Sequence, residues 1–321
     1  MASGGSVSTA GSGGSISTSG GSGGAGKGGS SGGGPASGGS GGATLPASCA
    51  AVTPISKSTC AAGESNCFSF FVASRARMFA AAQKFNGSAK GWGGDFRYGT
   101  ADGLTGADKL CTEIAEQSLP GNCRTWRAFL STTTMNAIDR VGAGPWYDRL
   151  NRTIASNLTE LVETRPGGIT VNTILNNLPN EDGTPHHNEE VGCNNLNDCA
   201  DNHDILTGSD TDGKLCTADT CAGIGGIGGP GGGFPGGGGN ITDFTCENWT
   251  LGTSKAGIAP RCGHTWPTGG GGSDDWISHL TENGCAPGFN LVQNGGPMPN
   301  GNGSVGDGGG YGAIYCLALG N

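Results

Sequence analysis

The chain has 321 residues, of which 67 are glycine and 34% hydrophobic, so less of it can join a packed core than its length suggests. A formal net charge of −9 argues against nucleic acid, heparin-like polyanions and acidic membrane surfaces as partners. No 18-residue apolar run exists, so no segment reads as membrane-spanning.

Residues 1–43 hold 19 Gly and 12 Ser with one charge, Lys27, and cannot bury enough apolar surface to offset chain entropy. They read as a flexible tether reaching roughly 35–40 Å. The GGSGG repeats match the G-x-S-x-G nucleophile elbow only through composition, since no strand precedes them. Residues 44–67 are small, polar and cysteine-bearing, a neck before the globular domain of residues 68–321.

That domain opens on FSFFVAS (68–74), aromatic and β-branched as a buried strand is. RARMFAAAQKF reads as a short helix. In GLTGADKLCTEIA, Thr105 is an N-cap candidate with Asp108 three residues on. Leu110, Cys111, Ile114 and Ala115 share one face, and the helix stops before Pro120. CRTWRAFLS alternates as a half-buried strand, and Ile154, Leu158, Leu161 and Val162 predict a second long helix over about 151–163. Past 176 regular structure thins into acidic loop, with glycine-rich insertions near 223–239 and 294–310. The closing YGAIYCLAL reads as a core strand. Helices followed by a loop-dominated, cysteine-bearing half describe an α+β domain.

Thirteen cysteines point to export and an oxidising compartment, secreted or cell-surface, and their odd number leaves one without an intrachain partner. Residues 1–20 lack the apolar run of a signal peptide, so an export signal is expected to have been removed already. The tether is similar to those behind the lipid-anchored cysteine of bacterial surface lipoproteins, which allows a lipid anchor upstream of residue 1.

The order of pieces FFVAS, GLTGADKLCTEIA, WRAFLS, LTGSDTDGK, CENWT and AIYCLAL resembles endostatin-like domains, the C-terminal module of collagens XV and XVIII, which also occur in secreted bacterial proteins. The resemblance covers about residues 68–321. It implies a C-type-lectin-like fold: two helices, a twisted antiparallel sheet and long loops tied by two nested disulfides. Carried over by position, these are Cys111 to Cys316 and Cys246 to Cys285. Endostatin's basic heparin surface and N-terminal zinc histidines have no counterpart here, and the sugar-binding motifs of calcium-dependent lectins are absent.

Asp201, Asp204, Asp210 and Asp212 form a weak calcium candidate, since GSDTDGK is a fragment of a D-x-D-x-D-G loop. The alternative, that Asp and Gly simply shape a turn, is favoured because the closing bidentate Glu is missing. His186, His187, Glu189, Glu190 and His203 read as solvated loop. Cys193, Cys199, Cys216 and Cys221 lack zinc-ribbon spacing and read as local disulfides. Most tryptophans are expected to fill the core.

No nucleophile with a neighbouring base stands out, so no catalytic residue and no cofactor are assigned, calcium being the one candidate ion. The leading expectation is a non-enzymatic extracellular or cell-surface binding or structural module whose partner is an unidentified protein or glycan. The alternatives are a secreted hydrolase with its site in the acidic loops and a calcium-dependent carbohydrate-binding adhesin.

Overall fold

A computed structural model describes residues 67–166, 177–186, 200–201, 203–221, 241–265, 275–289, 292–293 and 303–319. The tether, most of the neck and the 223–239 insertion lie outside the described residues, as do Cys193, Cys199, His187, Glu189 and Glu190. The architecture is mixed α and β.

Strand β10 (Gly310–Ala318) is the axis, and all nine of its residues are buried. Both faces are covered, so burial runs continuously along it. β1 (Phe70–Val72) and β2 (Trp126–Ala128) flank its C-terminal half, both antiparallel. Its N-terminal half pairs with β6 (Asp204–Leu206) in parallel, and β6 continues antiparallel to β7 (Arg261–His264) and β8 (Leu280–Thr281). The sheet is therefore mainly antiparallel with one parallel junction, reached by the long crossover between β6 and β10. Two small ladders stand apart, β3 (Trp146–Tyr147) with β4 (Thr153–Ala155) and β5 (Ala200–Asp201) with β9 (Val292–Gln293).

The two long helices are α1 (Arg75–Asn86) and α2 (Gly103–Ser118). Ser74 caps α1 by accepting from the Arg77 amide, and Gly87 ends it in the left-handed conformation. The expected helix over 151–163 is instead strand β4 followed by one turn, α3 (Leu158–Leu161). Asn157 caps that turn, accepting from the Glu160 amide, while β-branched Thr153 and Ile154 suit the ladder with β3.

Helix α2 buries Leu110, Cys111, Ile114 and Ala115, as their spacing predicts. It starts earlier than expected. Asp102 is the cap, accepting from the Thr105 amide at 2.8 Å, so Thr105 and Asp108 lie inside the helix. The extra turn contains Gly106 because backbone passes directly over it: a Cβ there would sit 1.9 Å from the Phe96 carbonyl oxygen and 2.3 Å from that of Arg97. Gly to Ala in an unobstructed helix stabilises by about 1 kcal/mol. Gly106→Ala is expected to have the opposite sign, a loss of roughly 1–3 kcal/mol from overpacking, read as a lower midpoint in urea with unchanged slope.

Trp92, Trp126, Trp146, Trp249 and Trp276 are buried in the core, and Trp266 lies outside the described residues. Phe68, Phe71 and Trp126 form one aromatic group with centroids 5.0–5.6 Å apart. Cys111 on α2 bonds Cys316 on β10, and Cys246 bonds Cys285, the two pairs that the endostatin resemblance implies. Cys216 bonds Cys221, a local bridge. Cys67 and Cys123 are also disulfide-bonded, and the free thiol among the described residues is the buried Cys262.

Residues Cys246–Trp249 make one left-handed turn, with φ between 51° and 65° at all four positions. Such a run of non-glycine residues costs of order 1–2 kcal/mol per residue and persists only where its surroundings over-determine it. Here Asp243 accepts from the amides of Thr245 and Glu247, Trp249 Nε1 donates to the Ser131 carbonyl, and the Cys246–Cys285 bridge closes the turn.

Candidate metal centre

The antiparallel register of β6 and β7 sets Asp204 directly opposite His264, two residues 60 positions apart in the sequence. Cross-strand neighbours of this kind face each other at contact distance. On its other edge β6 meets β10 at Gly310, where a Cβ would lie 2.8 Å from the Asp204 carbonyl oxygen. Glycine at 310 therefore admits β6 to the sheet, and with it Asp204.

His203 precedes β6 and is turned onto the same point. Its amide donates to the Gly309 carbonyl at 2.9 Å, and its Nδ1 lies 3.3 Å from the same oxygen. Bonded there, Nδ1 carries a proton, and Nε2 is the nitrogen turned toward Asp204. His203 Nε2 and His264 Nε2 stand 3.6 Å and 3.1 Å from Asp204 Oδ1. Three imidazoles lie in a row, His203 to His264 with centroids 4.0 Å apart and His264 to His279 at 3.9 Å.

All three central groups are buried: His203 is 5%, Asp204 1% and His264 2% exposed. No hydrogen bond of good geometry reaches either carboxylate oxygen of Asp204, although both are fully enclosed, and His264 and Glu282 are the side chains beside it. His264 Nε2 approaches Asp204 Oδ1 at 3.1 Å. Burial by itself would raise the Asp204 carboxyl, but the neighbouring His203 and His264 outweigh it and hold the group well below its ordinary value. Glu282 lies beside it, its Oε2 accepting from the Gly308 amide at 2.8 Å while Oε1 is enclosed without a hydrogen bond. Burial, then the negative Asp204, push the Glu282 carboxyl well above the ordinary range. Burial, then the neighbouring Glu282 and Asp204, push the Cys262 thiol well up, so it is no reactive thiolate.

Several expectations are corrected here. His186 and His203, read as solvated, are buried. His186 is a core histidine whose Nδ1 meets Thr265 Oγ1 at 3.0 Å and whose Nε2 meets the Tyr311 hydroxyl at 2.5 Å. Tyr311 donates its own proton to the Ala73 carbonyl, so His186 donates from Nε2 and accepts at Nδ1. The segment 303–310, read as insertion, is domain interior: Val305 and Asp307 are fully buried, Asp307 bonds Asn283, and Gly308 and Gly309 supply the contacts to Glu282 and His203.

The four aspartates proposed for calcium are spread over different tasks. Asp204 faces the imidazoles. Asp201 lies on β5, its backbone paired with Val292. Asp210 closes its own turn, with Oδ1 accepting from the Asp212 and Lys214 amides at 3.0 and 2.9 Å, and Asp212 pairs with Lys214. Asp210→Asn and Asp212→Asn are accordingly expected to leave the melting temperature equal in chelator and in millimolar calcium. A calcium-dependent rise that both substitutions abolish would restore the loop as a site.

The acidic segment hid the signal for this cluster. His203-Asp204 ahead of an apolar pair, together with a second histidine two residues after Cys262, identifies it only once β6 and β7 are known to pair in this register. Compared with protein families and with curated proteins, the chain matches no family model and no curated sequence.

Proposed function

We propose that residues 68–321 form an endostatin-like module of C-type-lectin-like fold that acts in an oxidising, extracellular or cell-surface setting as a non-enzymatic binding or structural domain. The observation that carries this reading is the nested pair Cys111–Cys316 and Cys246–Cys285, which ties a helix to the last strand and a strained turn to the loop after β8. Disulfides of this kind persist outside reducing compartments. No helix among the described residues is long and apolar enough to cross a membrane. Enclosure of His203, Asp204, His264 and Glu282 supports a structural role, since a catalytic centre keeps an open position for its substrate. The partner is an extracellular protein or glycan.

The oxidised chain is to be assayed with chromogenic ester, phosphate, glycoside and peptide substrates, with and without divalent metal. No turnover above the uncatalysed rate is expected. Turnover that Glu282→Gln abolishes would overturn the reading in favour of a hydrolase, and calcium-dependent glycan capture would favour the adhesin.

A further inference from the structure

We propose that His203 Nε2, Asp204 and His264 Nε2 form a buried site for one divalent transition-metal ion, with zinc the best fit, that locks β6 and β7 to the 303–310 loop.

The three side chains offer one ligand atom each, all within 4.8 Å of one another. Around a tetrahedral zinc with bonds of about 2.0–2.1 Å, neighbouring ligand atoms stand roughly 3.3–3.4 Å apart. The separations of 3.1 and 3.6 Å from Asp204 Oδ1 to the two Nε2 atoms bracket that value. The Asp204 carboxylate is 1% exposed, no hydrogen bond of good geometry reaches either oxygen, and Oδ1 faces the Nε2 atoms of both imidazoles. An enclosed carboxylate without such bonds is costly unless a cation satisfies it. The setting of His203 adds a second argument, because a ligating histidine typically anchors its far nitrogen on a carbonyl, here that of Gly309. His264 is steadied through its backbone: its amide donates to the Asp275 carbonyl, and its own carbonyl accepts from Arg165 at 2.7 Å.

Two imidazoles and one carboxylate suit zinc and its neighbours in the first transition row, not calcium, which takes six to eight oxygens. Glu282, adjoining Asp204, is placed to balance the ion's charge.

The competing arrangement is a metal-free ion pair in which an imidazolium neutralises Asp204. The two differ in metal content, which is independent of the substrate assay that tests the binding-module reading. The oxidised full chain, without an affinity tag, is to be stripped with chelator, reloaded with zinc or cobalt(II), and freed of excess ion. One metal per chain and the visible d–d absorption of tetrahedral cobalt are expected. Asp204→Asn and His264→Gln should each weaken binding by at least ~100-fold, more than the 10–100-fold typical of outer-sphere changes. Asp210→Asn should retain the metal in full. Because the cobalt spectrum is read on wild type, the test does not depend on the variants folding. Wild-type protein that holds no cobalt or zinc after reloading, or metal retained equally by Asp204→Asn, would overturn the proposal.

Discussion

Replacing Cys111 and Cys316 together with alanine is expected to lower stability by on the order of 5 kcal/mol on the chain-entropy account of disulfides. The two residues are 205 positions apart, so their bond removes a very large loop from the unfolded ensemble. The Cys246–Cys285 and Cys216–Cys221 bridges lie within that loop and shorten its effective length by the 39 and 5 positions they span. Both Cys111 and Cys316 are completely buried, so truncation also leaves a small cavity beneath α2. A domain of this size has a total stability of about 5–15 kcal/mol, so the double variant is expected to approach unfolding at 37 °C. Urea midpoints of wild type and variant under oxidising conditions measure this. A loss below about 1 kcal/mol would mean that the unfolded chain is already restrained by other means.

The second large effect is expected at Asp108, which joins α2 to β2 and to the turn at 138–140. Its Oδ1 accepts from the Ala128 amide at 2.9 Å, its Oδ2 from Arg127 Nη1 at 2.9 Å, and both oxygens accept from Arg140 Nη2 at 2.9 and 2.8 Å. The Arg140 side chain is only 9% exposed, against 36% for Arg127, so the loss falls mainly on Arg140. Asp108→Ala strands that guanidinium and is expected to cost about 3–5 kcal/mol. Asp108→Asn keeps an acceptor for the Ala128 amide and is expected to cost roughly 1–3 kcal/mol.

The pair also has a pH signature. Burial raises the Asp108 carboxyl and outweighs Arg140, the Ala128 amide and Arg127, which lower it. The folded protein then binds more protons than the unfolded chain between the unfolded and the folded value of this carboxyl. Wild-type stability should therefore decline relative to Asp108→Asn as pH rises from the unfolded to the folded value, and level off above it. Denaturation midpoints of both proteins across that range check the sign.

How much of this was legible in the sequence differs element by element. α2 could be read from spacing because its inward face repeats at helical intervals, yet its start could not, since Gly103 and Gly106 are tolerated only because the backbone of 96–97 and 248–249 passes over them. β1 announced itself by aromatic and β-branched weight and β2 by alternation, and β10 was legible as a core strand. Residues 151–163 misled because Ile154, Leu158, Leu161 and Val162 fit a helical stripe, while the pairing of β4 with β3 is a tertiary fact. The two nested bridges came from family resemblance, not from spacing.

The candidate metal centre was least legible of all. Asp204 was noted for the wrong company, among aspartates near in sequence, whereas its partners arrive through strand register. Local composition around His203 argues for solvent, and only the glycines at 308–310, close enough to wrap Glu282, His203 and Asp204, turn that stretch inward.

Peptide mapping of the oxidised protein without reduction tests the central claim most directly, since the disulfide framework carries both the fold and the proposed setting. Cross-linked peptides joining Cys111 to Cys316, Cys246 to Cys285 and Cys216 to Cys221 are expected, with Cys262 recovered as a free thiol after unfolding. Cys111 linked to any other cysteine, or a fully reduced chain from cells that export it, would contradict the account.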